Sequence, residues 1–208
     1  MRLLQRSRLS NKLIGMGDSH IDNFTFFCAA TCRIPGATAY GLLNSDSDTR
    51  ARETFKNFIL SFPKYIPLLC IGEVDCNSLP WRAGYNRSAE ASIYQSIENL
   101  FVFLDEFNCK FILPSVTLPT VESFKLLGVR TLVTSNKEER TLLVKLYNAL
   151  LMNKSREYGH YYLDITSKTV GSDGLINEDF IKSNSDVHLN PTKLYTIIRD
   201  SLDEVVYE

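Results

Sequence analysis

Short apolar runs alternate along this chain with longer stretches whose apolar residues recur every three or four positions. The first pattern predicts buried strands and the second amphipathic helices. Strands are expected at 13–16, 31–34, 66–71, 110–116 and 161–165. The run 66–71 is apolar throughout and closes on Gly72, as suits a strand covered on both faces. Helices are expected at 22–30, 47–62, 88–107, 137–158 and 191–205. The helix at 47–62 carries Phe55, Phe58, Ile59 and Phe62 on one side, with Ser47 or Asp46 available as its cap. The last helix has Pro191 in its first turn. The stretch 73–87 reads as polar and turn-rich. Residues 117–136 are less regular, with a helical pattern around 121–127 and a β-rich 129–133.

Strands alternating with helices at this spacing predict a parallel sheet covered on both faces. The expected fold is a three-layer α/β/α sandwich, flavodoxin-like, with a five-stranded parallel sheet. In such sheets reactive groups gather beyond the C-terminal strand ends. A length of 208 residues suits one domain over 1–208, with 1–11 as an N-terminal extension. The hydrophobic share of 44% is enough for a sizeable core. A net charge of −1 with scattered signs gives no electrostatic case for nucleic acid or an anionic membrane. Arg2, Arg6 and Arg8 are followed by no apolar run long enough for a signal segment or a membrane span. A cytoplasmic location is therefore expected. Cys28, Cys32, Cys70, Cys76 and Cys109 form an odd set without metal-like spacing, which predicts reduced thiols and no metal site.

The candidate chemistry begins at Gly17-Asp18-Ser19, where the first strand runs into a turn. A serine at the rim of a sheet, beside free backbone N–H groups, has the setting of a nucleophile whose oxyanion must be held. Such a serine needs a base, and the chain has three histidines. His20 is adjacent in sequence, so its side chain is expected to diverge from that of Ser19. His160 precedes the fifth strand and reads as structural. His188 lies in a polar loop before the last helix, with Asp186 two residues away, and is the expected base.

Together these segments resemble the SGNH (GDSL-type) hydrolases, a superfamily of esterases, lipases, thioesterases and carbohydrate deacetylases. Gly17-Asp18-Ser19 is similar to the first block, with His20 where leucine is common. Ile34-Pro35-Gly36-Ala37-Thr38 resembles the second, whose glycine donates a backbone N–H to the oxyanion. Ile71-Gly72-Glu73-Val74-Asp75 takes the place of the third, Gly-x-Asn-Asp, and residues 186–190 that of the last. The resemblance runs from about residue 12 to 202. It implies a Ser19 acyl-enzyme, His188 as base, Asp186 as its orienting acid, and an oxyanion hole of the Ser19 and Gly36 N–H groups. No metal or organic cofactor is implied.

Two departures stand out. The third block has Val74 where the family has asparagine, and losing one oxyanion donor costs on the order of 2.7–4 kcal/mol. Asn77, further along the same loop, is the candidate replacement. The run Gly72–Cys76 is similar to a Gly-Glu-(Ile/Val)-Asp-Cys form found in an atypical subset of such proteins. In the last block the usual Asp-x-x-His spacing puts the acid at Ser185, so Asp186 either orients His188 through a rebuilt loop or leaves a Ser–His dyad. Asp18, Asp75, Trp81, Arg82 and Tyr85 are the expected substrate-binding residues. Trp81 and Tyr85 would stack on a sugar and Arg82 would meet a carboxylate or phosphate. Alternatively, Trp81 covers the core and Asp75 hydrogen-bonds the turn near Ser19. The expected substrate is a small acyl ester, first of all an acetyl ester on a carbohydrate. The alternatives are a weak or inactive glycan-binding module, and an acyltransferase using the same acyl-enzyme.

Overall fold

Each expected strand segment forms a strand in the computed structural model, which describes residues 12–81, 86–122, 135–183 and 186–205. They are β1 (Leu13–Gly17), β2 (Ala30–Arg33), β3 (Ile66–Cys70), β4 (Ile112–Pro114) and β5 (Tyr161–Leu163). All pairings are parallel and the order is β2–β1–β3–β4–β5. This is the doubly wound arrangement whose strand order reverses between β1 and β3, where a crevice opens beyond the strand ends. Every residue of β1 is buried, which is why the segment reads as an unbroken apolar run.

The helices are α1 (Ala51–Ser61), α2 (Glu73–Asn77), α3 (Ala89–Leu104), α4 (Lys137–Glu157) and α5 (Pro191–Val205). One face of the sheet carries α5 and a 3-10 helix at Ser19–Phe27, which pack together. The other carries α3 and α4, with α1 joined to α3 through a short 3-10 turn at Tyr40–Leu43. Helix α4 opens on a reciprocal capping box between Asn136 and Glu139, and Ser88 caps α3. The core runs along both faces, from Phe27 and Leu194 on one side to Phe55, Phe101 and Tyr147 on the other.

Three local expectations are corrected. The segment expected as a helix at 22–30 is a 3-10 helix that starts at Ser19 and stops before β2. The helix expected from 47 begins at Ala51, after Arg50 in the left-handed region, and no side chain caps it. The turn-rich 73–87 contains the one-and-a-half-turn α2 and a 3-10 turn at Leu79–Trp81. The β-rich 129–133 lies outside the described residues. All five cysteines are free thiols; Cys70 and Cys76 are buried and Cys109 is exposed. Among the described residues, no helix is long and apolar enough to cross a membrane.

Candidate active site

Ser19 stands at the switch point between β1 and β3. β1 ends on Gly17, where any Cβ would overlap the carbonyl oxygen of Cys70 on β3. The backbones can approach only because that position is glycine. Next along, Asp18 donates its N–H to the same Cys70 oxygen (3.1 Å), and its Oδ1 accepts from the backbone N–H of His20 (2.8 Å). Asp18 is thus the N-cap of the Ser19–Phe27 helix, which makes Ser19 its first residue. N–H groups in a first helical turn have no intrahelical acceptor and are available to an oxyanion.

The loop before α5 brings the base to this serine. His188 Nε2 lies 2.9 Å from Ser19 Oγ, and His188 Nδ1 lies 2.7 Å from Asp186 Oδ1. A carboxylate only accepts, so Nδ1 carries the proton and Nε2 is left to accept from the Ser19 hydroxyl. The spacing of two residues suffices because Asp186 Oδ1 also accepts from the backbone N–H of His188 (2.9 Å). This Asx-type turn folds the carboxylate back under the imidazole. Asp186 is itself held: its Oδ2 accepts from Lys182 Nζ (2.7 Å) and its carbonyl from Thr120 Oγ1 (2.8 Å). Burial works against the charged carboxylate, but Lys182 and the two His188 contacts outweigh it and hold Asp186 well below the usual carboxylate range. Ser185, at the position of the usual acid, lies outside the described residues.

Gly36 follows β2, beside β1, and so lies on the same rim. The Ile34-Pro35-Gly36-Ala37 turn closes with Ala37 N–H donating to the Ile34 carbonyl (3.1 Å), and Gly36 has φ +78°. Proline second and a left-handed glycine third is the signature of a type II turn. Behind it, Asp75 accepts from the N–H groups of Ala39 (2.8 Å) and Tyr40 (2.9 Å) and from Ser96 Oγ (2.7 Å). Asp75 is fully buried, and this corrects its expected place among the substrate-binding residues. It ties the loop carrying Gly36 to α2 and α3 instead. Burial raises its carboxyl, against the opposing pull of these three donors.

The oxyanion donor missing at Val74 is not restored in this geometry by Asn77. Val74 is buried, and Asn77 Nδ2 donates to Glu73 Oε1 (3.2 Å) with the side chain almost wholly enclosed. Asp18 is also buried and serves as a cap, which corrects its expected role against substrate. Trp81 donates its indole N–H to the Cys76 carbonyl (2.8 Å) and packs on the core, the alternative raised for it from sequence. Arg82 and Tyr85 lie outside the described residues. His160 packs between Phe101 and Phe111, and its Nδ1 accepts from Phe111 N–H (3.4 Å), as a structural histidine would.

Two residues assigned no role from sequence reach the site. His20 is buried, and its ring lies against that of His188 with centroids 4.8 Å apart. Its Nε2 is 3.4 Å from the Val187 carbonyl and its Nδ1 is 3.4 Å from Asp18 Oδ1. Glu73, at the start of α2, faces the same ring across a cavity of about 20 Å³ lined also by Phe24, Ile71, Val116 and Leu194. That is room for about one water molecule. For Glu73 the signal was a charged residue just after a buried strand; His20 carried none beyond its place next to Ser19.

No family model matches this chain, and no curated protein matches it by sequence. Solved structures do resemble it. A protein named as an acylhydrolase from Bacteroides fragilis superposes with a TM-score of 0.63 at 15% identity, covering 98% of this chain and 90% of that one. A GDSL-like lipase from Bacteroides thetaiotaomicron gives 0.59 at 16%, covering 99% and 90%. A protein named as an arylesterase from Agrobacterium tumefaciens gives 0.56 at 14%, covering 94% and 97%. With its β2–β1–β3–β4–β5 sheet and a serine at the end of β1, this chain has the fold of the SGNH (GDSL-type) hydrolases.

Proposed function

We propose that this protein is a serine esterase acting on small acyl esters, acetyl esters of carbohydrates foremost. The observation that carries the reading is the hydrogen-bonded chain from Ser19 Oγ through His188 to Asp186. In the proposed reaction Ser19 Oγ attacks the ester carbonyl as His188 Nε2 takes its proton. His188 then passes that proton to the departing alcohol, leaving an acyl-Ser19 ester. Water, deprotonated by the same nitrogen, attacks this ester, releases the acid and restores the serine. The Ser19 and Gly36 N–H groups hold the oxyanion in both steps. The esterase and lipase names of the structural neighbours support ester hydrolysis in general. Preference for a small acyl group such as acetyl rests on the sequence, which carries an aromatic and polar stretch over 81–86 and no evident long apolar channel.

Turnover of p-nitrophenyl acetate and of acetylated sugars by the wild type and Ser19→Ala tests this. The variant is expected to lose roughly 10³-fold or more in kcat/KM. Equal rates in the two proteins would remove Ser19 from the chemistry. A second reading, a weakly active glycan-binding module, is favoured by buried Val74 and by Asn77 being engaged with Glu73. Measurable glycan binding with no labelling of Ser19 by a fluorophosphonate would establish it in place of the first.

A further inference from the structure

The mechanism above uses Ser19, His188, Asp186 and Gly36, and leaves a buried polar group against the back of His188. The loop 186–188 is held from outside at three points. Thr120 takes the Asp186 carbonyl, Lys182 takes its carboxylate, and His20 Nε2 lies 3.4 Å from the carbonyl of Val187. Of the three, His20 is the one that also touches the His188 ring. We propose that His20, set between Asp18 and Glu73, is a positioning residue that fixes the Val187–His188 segment so that His188 Nε2 meets Ser19. The assignment deepens the esterase reading and rests on it for its kinetic consequence.

The donor inventory of the ring supports this. A neutral imidazole has one N–H, which can serve the Val187 carbonyl or face Asp18, but not both. An imidazolium has two and can do both at once. The surroundings supply what keeps it charged. Burial pulls the His20 ring toward the neutral form, but Glu73 first and Asp18 second outweigh it and raise the group from 6.5 to about 9. Burial likewise raises the Glu73 carboxyl, with His20 as the main opposing influence. The other titratable groups acting on this cluster include His188, the Asp75 carboxyl, the Cys70 and Cys76 thiols and the Tyr147 hydroxyl, all three held protonated by burial, and the Arg140 guanidinium on the Glu73 side. Asp18 Oδ2 is buried with no hydrogen bond among the described residues, His20 Nδ1 makes only its 3.4 Å ion-pair contact with Asp18, and the one-water cavity lies beside both.

One donor atom from each of Asp18, His20 and Glu73 lies within 4.8 Å of the others, so a divalent cation is the competing occupant. The test is histidine-ring NMR over pH 5 to about 10 on the wild type, His20→Leu and His20→Gln, with zinc titration and ester kinetics on the same proteins. In the wild type the His20 ring is expected to stay doubly protonated through neutral pH. In His20→Leu the ring signals of His188 are expected to move, as for an imidazole that has lost its neighbour. Its kcat should fall about tenfold with KM within about twofold, as for a displaced base. His20→Gln should recover part of kcat, because its amide can still donate to Val187. The NMR arm needs no turnover. Absence of esterase activity with displaced His188 ring signals therefore counts against the esterase reading alone. A neutral His20 at pH 7, or activity untouched in both variants, overturns this proposal. So does stoichiometric zinc uptake that His20→Leu abolishes. If the variants fail to fold, the wild-type titration and zinc binding still decide.

Discussion

The C-terminal edge of the sheet is finished in two different ways. Above β4 and β5 the polar groups are spent on one another. Ser115 Oγ accepts from the N–H groups of Ile165 and Thr166, both at 2.9 Å. Asn148 holds Val116 by both its N–H and its carbonyl, each at 2.8 Å, and Thr166 Oγ1 adds a further donor to that carbonyl (2.7 Å). Above β1 and β3 the opposite holds. Asp18 Oδ2, His20 Nδ1 and Asn77 Oδ1 are buried without a hydrogen bond among the described residues. A satisfied network rigidifies the end it closes, whereas an unsatisfied one stores cost against a task. The same edge thus provides a closed end that stabilises and an open end at the switch point, where chemistry needs uncommitted groups.

The largest expected effect comes from cutting a fully satisfied anchor under the open end. Asp75→Ala leaves the N–H groups of Ala39 and Tyr40 and the hydroxyl of Ser96 without their acceptor. Hydrogen bonds to a charged group contribute about 1.5–3 kcal/mol each, and the bonds share one carboxylate, so a loss of about 4 kcal/mol is expected in urea unfolding. Asp75→Asn keeps one acceptor oxygen and should lose about half as much. A loss below about 1 kcal/mol in Asp75→Ala would mean that the loop bearing Gly36 is held by something else.

The second effect separates the ends by pH. The His20 group is raised from 6.5 to about 9 in the folded chain. A raised base stabilises fully below its unfolded value and loses that contribution as pH climbs through the folded one. Stability should therefore fall between about pH 6.5 and 9, by at most about 3.4 kcal/mol. Glu73, a raised acid, loses stability from about pH 4.5 upward, so its onset lies at lower pH than the His20 window. Unfolding at pH 6 and 9.5, compared between wild type and His20→Gln, reports the His20 contribution together with the further rise of Glu73 that losing His20 produces. An equal alkaline loss in both proteins would place the pH sensitivity outside this cluster.

How much of this was legible in the sequence follows the same division. β1, β3, α4 and α5 could be read directly, because buried runs and long helical periodicity are local properties of the chain. Ser19 and His188 were legible from their places at a strand end and a helix start. The reach of Asp186 was not, because two-residue spacing becomes adequate only when the carboxylate folds back onto its own loop. The 3-10 form of Ser19–Phe27, which packs on α5, was hidden too, since its apolar residues suit either helix type. Asp75 and His20 were the hardest. Each acts on residues far away in sequence, Ala39 and Ser96 for one and Val187 for the other, which no local pattern encodes.

The smallest expected effect probes the closed end. Asn148→Ala strips Val116 of partners for its N–H, though Thr166 Oγ1 still serves its carbonyl. One buried backbone donor left unsatisfied, with a small void in place of the amide, should cost about 2 kcal/mol. Because Ser115, Thr166 and Asn148 do not ionise near neutral pH, the loss should be the same at pH 6 and 9.5. Because none of them touches Ser19 or His188, kcat and KM for a small ester should both hold within about twofold of wild type. Unfolding at both pH values and steady-state kinetics on one preparation measure all three quantities. If kcat fell tenfold while stability barely moved, the two ends would be coupled, and the rim over β4 and β5 would belong to the working site rather than to its support.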